Sequence, residues 1–209
     1  MKIYLMRHGE TDWNKERRMQ GWTDIPLNEF GLDLARKTAE GLKDVTFDAV
    51  FSSPLQRASV TANMIAANSN MTAETDRRLL EINFGIGDGQ CFDQPKKDPN
   101  HPLHDFFMHP EKYIPADGAE SFQDALARLE DFFREKVIPL EGSCENVLVV
   151  AHGALNRCLL NKLEGNPMED FWNIALPNCA VSILSCEDGK LSIMEESKVY
   201  YEGAVNGRP

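Results

Sequence analysis

No stretch of this 209-residue chain is apolar for anything near the roughly twenty residues that a membrane-spanning helix needs. The apolar run Ile3 to Met6 is too short for a secretory signal core and stops at an arginine, so a cytoplasmic protein is expected. Cysteine offers no pairing pattern. Cys91, Cys144, Cys158, Cys179 and Cys186 are odd in number, widely spaced and without a C-x-x-C pair, which argues against a disulfide framework and a zinc ribbon. Most are expected to behave as small buried hydrophobes. Positive charge is the scarce sign: 22 Lys and Arg against 33 Asp and Glu leave a net charge of −11. Such a surface repels nucleic acid and anionic membranes, so neither partner is expected, and an anionic small substrate would need a local basic pocket. Internal repeats are also missing. With 26% charged and 42% hydrophobic residues the chain is neither disordered nor fibrous, and its length suits one domain over 1–209.

What is present is an alternation of strand-like and helix-like segments. Lys2-Ile3-Tyr4-Leu5-Met6 reads as a buried strand that runs into Arg7-His8-Gly9-Glu10-Thr11, placing a cation, an imidazole and a glycine at a strand end. In open α/β sheets that is where chemistry sits, and a residue without Cβ suits an oxyanion close to the backbone. Taken alone, the stretch fits equally a surface arginine and a histidine bonded to a carbonyl. A loop over residues 12–27 is followed by a predicted helix from Gly31 to about Lys43, a strand at Phe47–Phe51, and a helix that Ser52-Ser53-Pro54 opens by a capping hydroxyl and a first-turn proline. Arg57 falls in that helix's first turn. Thr72 to Thr75 reads as a short strand, and Arg77 to Glu81 leads into Gly85-Ile86-Gly87-Asp88-Gly89.

The segment 90–118 holds five prolines among aromatic and histidine residues, too apolar for a linker and too broken for a long helix, and reads as an inserted lid or wall spanning about 86–120. Its Phe106-Phe107 pair, with Tyr113 and His109, points to an apolar or aromatic leaving group. Ser121 to Asp124 resembles a capping box, and the helix it opens ends before Pro139. Asn146–Ala151 is the most strand-like run and reads as a central parallel strand ending at His152-Gly153, with a helix from Ala154 to Leu163 behind it. A short helix at Pro167–Trp172 and a hairpin, Ala180–Cys186 with Leu191–Glu195, complete an α/β fold with a mostly parallel sheet and an antiparallel edge.

Two strands thus end alike, in Leu-Met-Arg-His-Gly and Val-Ala-His-Gly, while Arg57 and Glu81 are carried to the same edge. With Asn14, Arg18-Met19-Gln20-Gly21-Trp22-Thr23-Asp24, Ser52-Ser53-Pro54-Leu55-Gln56-Arg57-Ala58 and Leu80-Glu81-Ile82-Asn83-Phe84-Gly85, the chain resembles the histidine phosphatase superfamily, which includes phosphoglycerate mutases. The resemblance implies a three-layer α/β/α architecture with the lid inserted. It implies that His8 is the nucleophile that takes a phosphoryl group, its neutral tautomer fixed by a hydrogen bond from the other ring nitrogen to a backbone carbonyl. Arg7, Arg57 and His152 would hold the phosphoryl oxygens, helped by Asn14, Gln20 and Gly153, and Glu81 would exchange the proton with leaving group and water.

A zinc site from His8, His152 and Glu81 is disfavoured because Arg7 would compete with a cation and no His-x-x-x-His pair exists, so no metal and no cofactor are expected. Arg17, Arg18, Arg77 and Arg78 are read as solvated surface charges. Within the family, phosphomonoester hydrolysis is favoured over a mutase, since no arginine lies between Arg78 and Arg128 and only Lys96, Lys97 and Lys112 are cationic in the lid. A catalytically idle phospholigand-binding protein is the remaining alternative; the intact His8, Arg57, Glu81 and His152 argue against it. A monomer or homodimer acting on a small phosphomonoester is expected. One departure stands out: many phosphatases of the family carry Gly-x-Trp-Glu-Gly after the acid, and here Gly87 replaces the tryptophan, which puts the pocket wall beside Glu81 in question.

Overall fold

The computed structural model describes residues 1–202. In chain order its regular elements are β1 (Lys2–Arg7), α1 (Asp12–Lys15), α2 (Glu29–Gly41), β2 (Ala49–Ser52), α3 (Gln56–Ala66), β3 (Glu74–Thr75), α4 (Asp93–Lys97), α5 (His104–Met108), α6 (Phe122–Phe132), β4 (Asn146–Ala151), α7 (Gly153–Glu164), β5 (Val181–Glu187) and β6 (Lys190–Lys198). The six strands form one sheet in the order β3-β2-β4-β1-β5-β6. β3, β2, β4 and β1 run parallel, and β5 and β6 add the antiparallel edge. The hairpin between them turns on Asp188 and Gly189, both at positive φ (51° and 72°), the backbone that a two-residue turn matched to strand twist requires.

The expected α/β class with a mostly parallel sheet is the one found. Because successive side chains of a strand point to opposite faces, β1 sends Ile3 and Leu5 into one core with α6 and α7, and Tyr4 and Met6 into a second core with α2 and α3. β4 divides in the same way, Val147 and Val149 against Leu148 and Val150. Helices therefore cover both faces of the strands that carry the site. No helix among the described residues is long and apolar enough to cross a membrane.

Several element ends differ from the sequence reading. α3 begins at Gln56 behind a Leu55 N-cap that makes no side-chain bond, not at Ser52-Ser53-Pro54. Ser52 finishes β2, Ser53 Oγ is 2.8 Å from His152 Nε2, and the carboxylate of Asp24 accepts the Gln56 amide at 2.7 Å, so a distant loop supplies the cap. Phe47 lies outside β2 yet is buried edge-on to Tyr4. Beyond α6 the chain passes through a π-helical turn, Phe133–Val137, and a short 3-10 turn that contains Pro139, so the ladder loosens one turn ahead of the residue that lacks an N–H. The segment 86–120 is a wall rather than a detachable flap: Leu103, Phe106, Phe107 and Tyr113 belong to the same core as α6 and α7.

Candidate active site

Register decides where the chemistry gathers. Arg7 pairs with Ala151, and Ser52 with Val150, so β1, β4 and β2 end at one edge and deliver Arg7-His8, His152-Gly153 and the start of α3 together. A backbone bond from His8 N to Ala151 O (3.0 Å) joins the first two just past the strands. Arg7, His8, Asn14, Gln20, Glu81 and Gly153 line a pocket there, and Arg57 and His152 are fully buried directly beside it. The rings of His8 and His152 lie 5.2 Å apart.

His8 Nδ1 is 2.6 Å from Gly9 O, an arrangement that puts the proton on Nδ1 and leaves Nε2 a bare lone pair. Burial first, then the charges of Arg57 and Arg7, push the His8 pKa well below 6.5, so the ring is neutral near pH 7. His152 is likewise held neutral, by burial first, then by Arg57 and the neighbouring His8, Arg128 and Arg7. Its Nδ1 accepts from Arg57 Nε at 3.3 Å, which leaves Nε2 to donate to Ser53 Oγ.

Buried imidazoles that stay neutral make the fold acid-sensitive. Each histidine titrates at a lower pH in the folded chain than the usual 6.5 of an unfolded one, so below 6.5 the unfolded state binds more protons and stability falls with falling pH. The expected slope is about half of 1.4 kcal/mol per pH unit per histidine at pH 6.5, nears the full value about one unit lower, and vanishes well above 6.5. Urea unfolding at pH 7.5, 6.5 and 5.5 measures it, and His8→Asn should remove roughly half of the dependence that the two rings contribute.

The arginines differ in what they spend their donors on. Arg57 Nη1 donates to Thr23 O (2.9 Å) and Nη2 to Gly21 O (2.8 Å); burial lowers its pKa to about 10, still a cation at neutral pH. Arg7 Nη1 donates to Leu176 O (2.7 Å), but its Nε is buried without any partner among the described residues. A buried N–H left open is costly unless an acceptor arrives. A Cβ on Gly153 would stand 3.4 Å from that Nε and 3.3 Å from Arg157 Nη1, so glycine leaves room for two guanidinium groups. Glu81 sits between a loop and the first turn of α7: Oε1 accepts from Ile82 N (2.9 Å) and Leu155 N (2.8 Å), and Oε2 from Ala154 N (3.0 Å). It thus caps the helix that follows His152.

Asp88 settles the question of the missing tryptophan. Its carboxylate accepts from Gly21 N (2.9 Å), Thr23 N (2.9 Å) and Thr23 Oγ1 (2.7 Å), the two residues whose carbonyls orient Arg57. At Gly87 a Cβ would stand 2.1 Å from Leu103 Cδ1, so a side chain of the wall has taken the space a larger residue would need. Asp88→Ala is expected to lower kcat about tenfold through a misplaced Arg57 and to cost about 1 kcal/mol of stability, checked by steady-state kinetics beside denaturant unfolding.

Sequence reasoning missed part of the pocket. Arg17 and Arg18, read as solvated charges, both line it; Arg18 Nε donates to Gly89 O (2.7 Å) and stacks over Trp13 (4.6 Å). Arg157 lines it from α7, four residues after Gly153 and so on the same helix face, a spacing the sequence does display. Asn178 also lines it; its Nδ2 reaches His8 O (3.1 Å) and Gly9 O (3.2 Å), and no local pattern marks it. Arg78 pairs with Asp76 and Glu135 away from the pocket. Of the lid aromatics singled out, Phe107 lines the pocket, Phe106 and Tyr113 are core, and His109 is exposed. His104, Asp105 and His109 bring ligand-type atoms within 4.8 Å of one another, but none lines the pocket.

The chain is 28% identical over 195 residues to phosphoserine phosphatase 1 of Hydrogenobacter thermophilus, covering 93% of this chain and 91% of the relative. It is 29% identical over 216 residues to a 2,3-bisphosphoglycerate-dependent phosphoglycerate mutase of Elusimicrobium minutum, covering 90% and 87%. Among solved structures, YhfR of Bacillus stearothermophilus superposes with a TM-score of 0.86 at 32% identity over 95% of this chain and 97% of that one. The model of branch 1 of the histidine phosphatase superfamily matches residues 3–197, and with a site at the same strand ends that carry the Arg-His-Gly and His-Gly motifs, the chain belongs to that superfamily.

Proposed function

We propose that the chain is a phosphomonoester hydrolase that works through a phosphohistidine on His8. The observation that carries this reading is a neutral imidazole, Nε2 free and Nδ1 tied to Gly9 O, beside Arg7 with a buried Nε that has no partner among the described residues. His8 Nε2 attacks phosphorus, the bond from phosphorus to the ester oxygen breaks, and Glu81 delivers a proton to that oxygen. Water then attacks the phosphohistidine while Glu81 takes its proton, the P–N bond breaks, and inorganic phosphate leaves with His8 neutral again. Glu81 Oε2 accepts one amide only and so keeps a lone pair for the travelling proton.

Arg7, Arg57 and the helix amides after His152 supply the positive field on the phosphoryl oxygens. His152 fixes Arg57 through its Nδ1, and Gly153 lets the anion approach. Gln20 Oε1 accepts the Thr11 hydroxyl at 2.7 Å and Asn14 Oδ1 the Thr11 amide at 3.1 Å, which leaves their NH2 groups to donate to a phosphoryl oxygen. Small cytoplasmic phosphomonoesters are the substrates this reading calls for. A mutase would return the phosphoryl group to a second hydroxyl; Lys96, Lys97 and Lys112 of the lid do not line the pocket, whereas Arg17, Arg18 and Arg157 do, so the products formed and not the charge of the lining separate the two. Phosphate release from a panel of monoesters tests the reading. Conversion of 3- to 2-phosphoglycerate with no release from any monoester would overturn it.

A further inference from the structure

The pocket has two unlike sides. One is polar and carries the groups already assigned to phosphoryl transfer together with Glu10, Arg17, Arg18 and Arg157. The other is a wall of four rings, Phe84, Phe92, Phe107 and Trp172. Phosphoryl transfer needs cations and a proton relay, and these rings provide neither. Core packing alone does not account for them, because Phe92 and Trp172 are only half-buried and line the cleft. They are also held in fixed positions. Phe107 and Trp172 stack with centroids 5.5 Å apart and planes 25° apart, and Phe92 stands edge-on to Phe107 at 5.5 Å. Phe106 backs the wall, touching Phe84, Phe107 and Trp172 at 5.0 to 5.3 Å, and its carbonyl accepts the Trp172 indole N–H at 2.8 Å.

We infer that this wall is the subsite for the leaving group, and that the preferred substrates are monoesters of alcohols bearing an aromatic or heteroaromatic ring. The inference rests on the reading of the pocket as a phosphomonoesterase site. The rings and the phosphoryl-binding groups line one and the same cleft, so an alcohol's ring would meet the wall while its phosphate lies at His8. Phe107 and Trp172 face each other, with Lys96 over the first ring (5.5 Å) and Arg157 over the second (5.4 Å), so these two meet a ligand by their edges beside the half-buried Phe92, and such contacts favour a flat π-system beyond what apolar area alone would give. A purely greasy pocket would instead favour the larger saturated ring.

That contrast supplies the test. Between 2-phenylethyl phosphate and 2-cyclohexylethyl phosphate the alcohol leaving groups are alike in acidity and differ in the ring. The native protein is expected to show kcat/KM about tenfold or more in favour of the phenyl ester. Phe92→Ala should bring that ratio to about two, mainly by raising KM for the phenyl ester, and Phe92→Leu, which keeps apolar bulk, should not restore it. Equal kcat/KM for the two esters, or an unchanged ratio in Phe92→Ala, would overturn the subsite. If neither ester is turned over, phosphate release from the wider monoester panel decides the hydrolase reading. Calorimetric binding of 2-phenylethylphosphonate against 2-cyclohexylethylphosphonate then decides the subsite by itself: about tenfold tighter binding of the phenyl compound supports it, and equal binding refutes it.

Discussion

Replacing His8 by alanine is expected to lower kcat/KM for every phosphomonoester by about 10⁴-fold or more, with the fold kept. No other side chain lining the pocket offers a nucleophilic ring nitrogen: Arg7, Arg17, Arg18 and Arg157 carry guanidinium groups, and both ring nitrogens of His152, beside the pocket, are engaged by Arg57 and Ser53. The remaining field of guanidinium groups would still bind phosphate, so the loss should fall on kcat with KM little changed. Stability should change modestly, because Gly9 O, which His8 Nδ1 now serves, also accepts from Asn178 Nδ2 at 3.2 Å. Steady-state kinetics together with urea unfolding check both parts. A variant retaining a tenth of the native rate would remove His8 from the chemistry.

The second large effect belongs to Glu81. Glu81→Gln is expected to slow the hydrolysis of alkyl monoesters by about 10²- to 10⁴-fold, the usual worth of a positioned proton donor. The loss should shrink for esters whose leaving group departs without a proton, such as p-nitrophenyl phosphate, until the water-attack step takes over. A merely structural role would lower all substrates alike. A structural cost is nonetheless built in: Oε1 accepts two amides and Oε2 one, so a glutamine must turn its NH2 toward an N–H on one side. About 1 to 2 kcal/mol of stability should go with it. A plot of rate ratio against leaving-group acidity separates the two contributions.

Much of this was readable from local pattern, and the reason is register. Parallel strands that end with motifs of like kind must bring those motifs to one edge, so the sequence alone pairs Arg7-His8 with His152-Gly153, and β4 falls on the residues its apolar run marks. The hairpin was legible because Asp188-Gly189 is a turn with its own backbone demand. What was not legible depends on contacts between distant segments. Ser53 looked like a helix cap because nothing in the sequence says that His152 would need its hydroxyl, or that Asp24 would cap α3 instead. Arg17 and Arg18 looked solvated because their place at the pocket is set by the loop carrying Gly89, Gln90 and Phe92, which bonds to Met19 and Arg17 across about seventy residues of chain. The lid's aromatics divide between wall and core by packing alone, a distinction that composition does not make.

The most direct test of the central claim is capture of the intermediate. Rapid quenching of the enzyme with ³²P-labelled monoester into base should leave label on the protein that is stable to alkali, lost in acid, and mapped by digestion to the peptide holding His8, forming at least as fast as steady-state turnover and missing from His8→Ala. Turnover of the same ester with no label on His8, or with label on another residue, would contradict it.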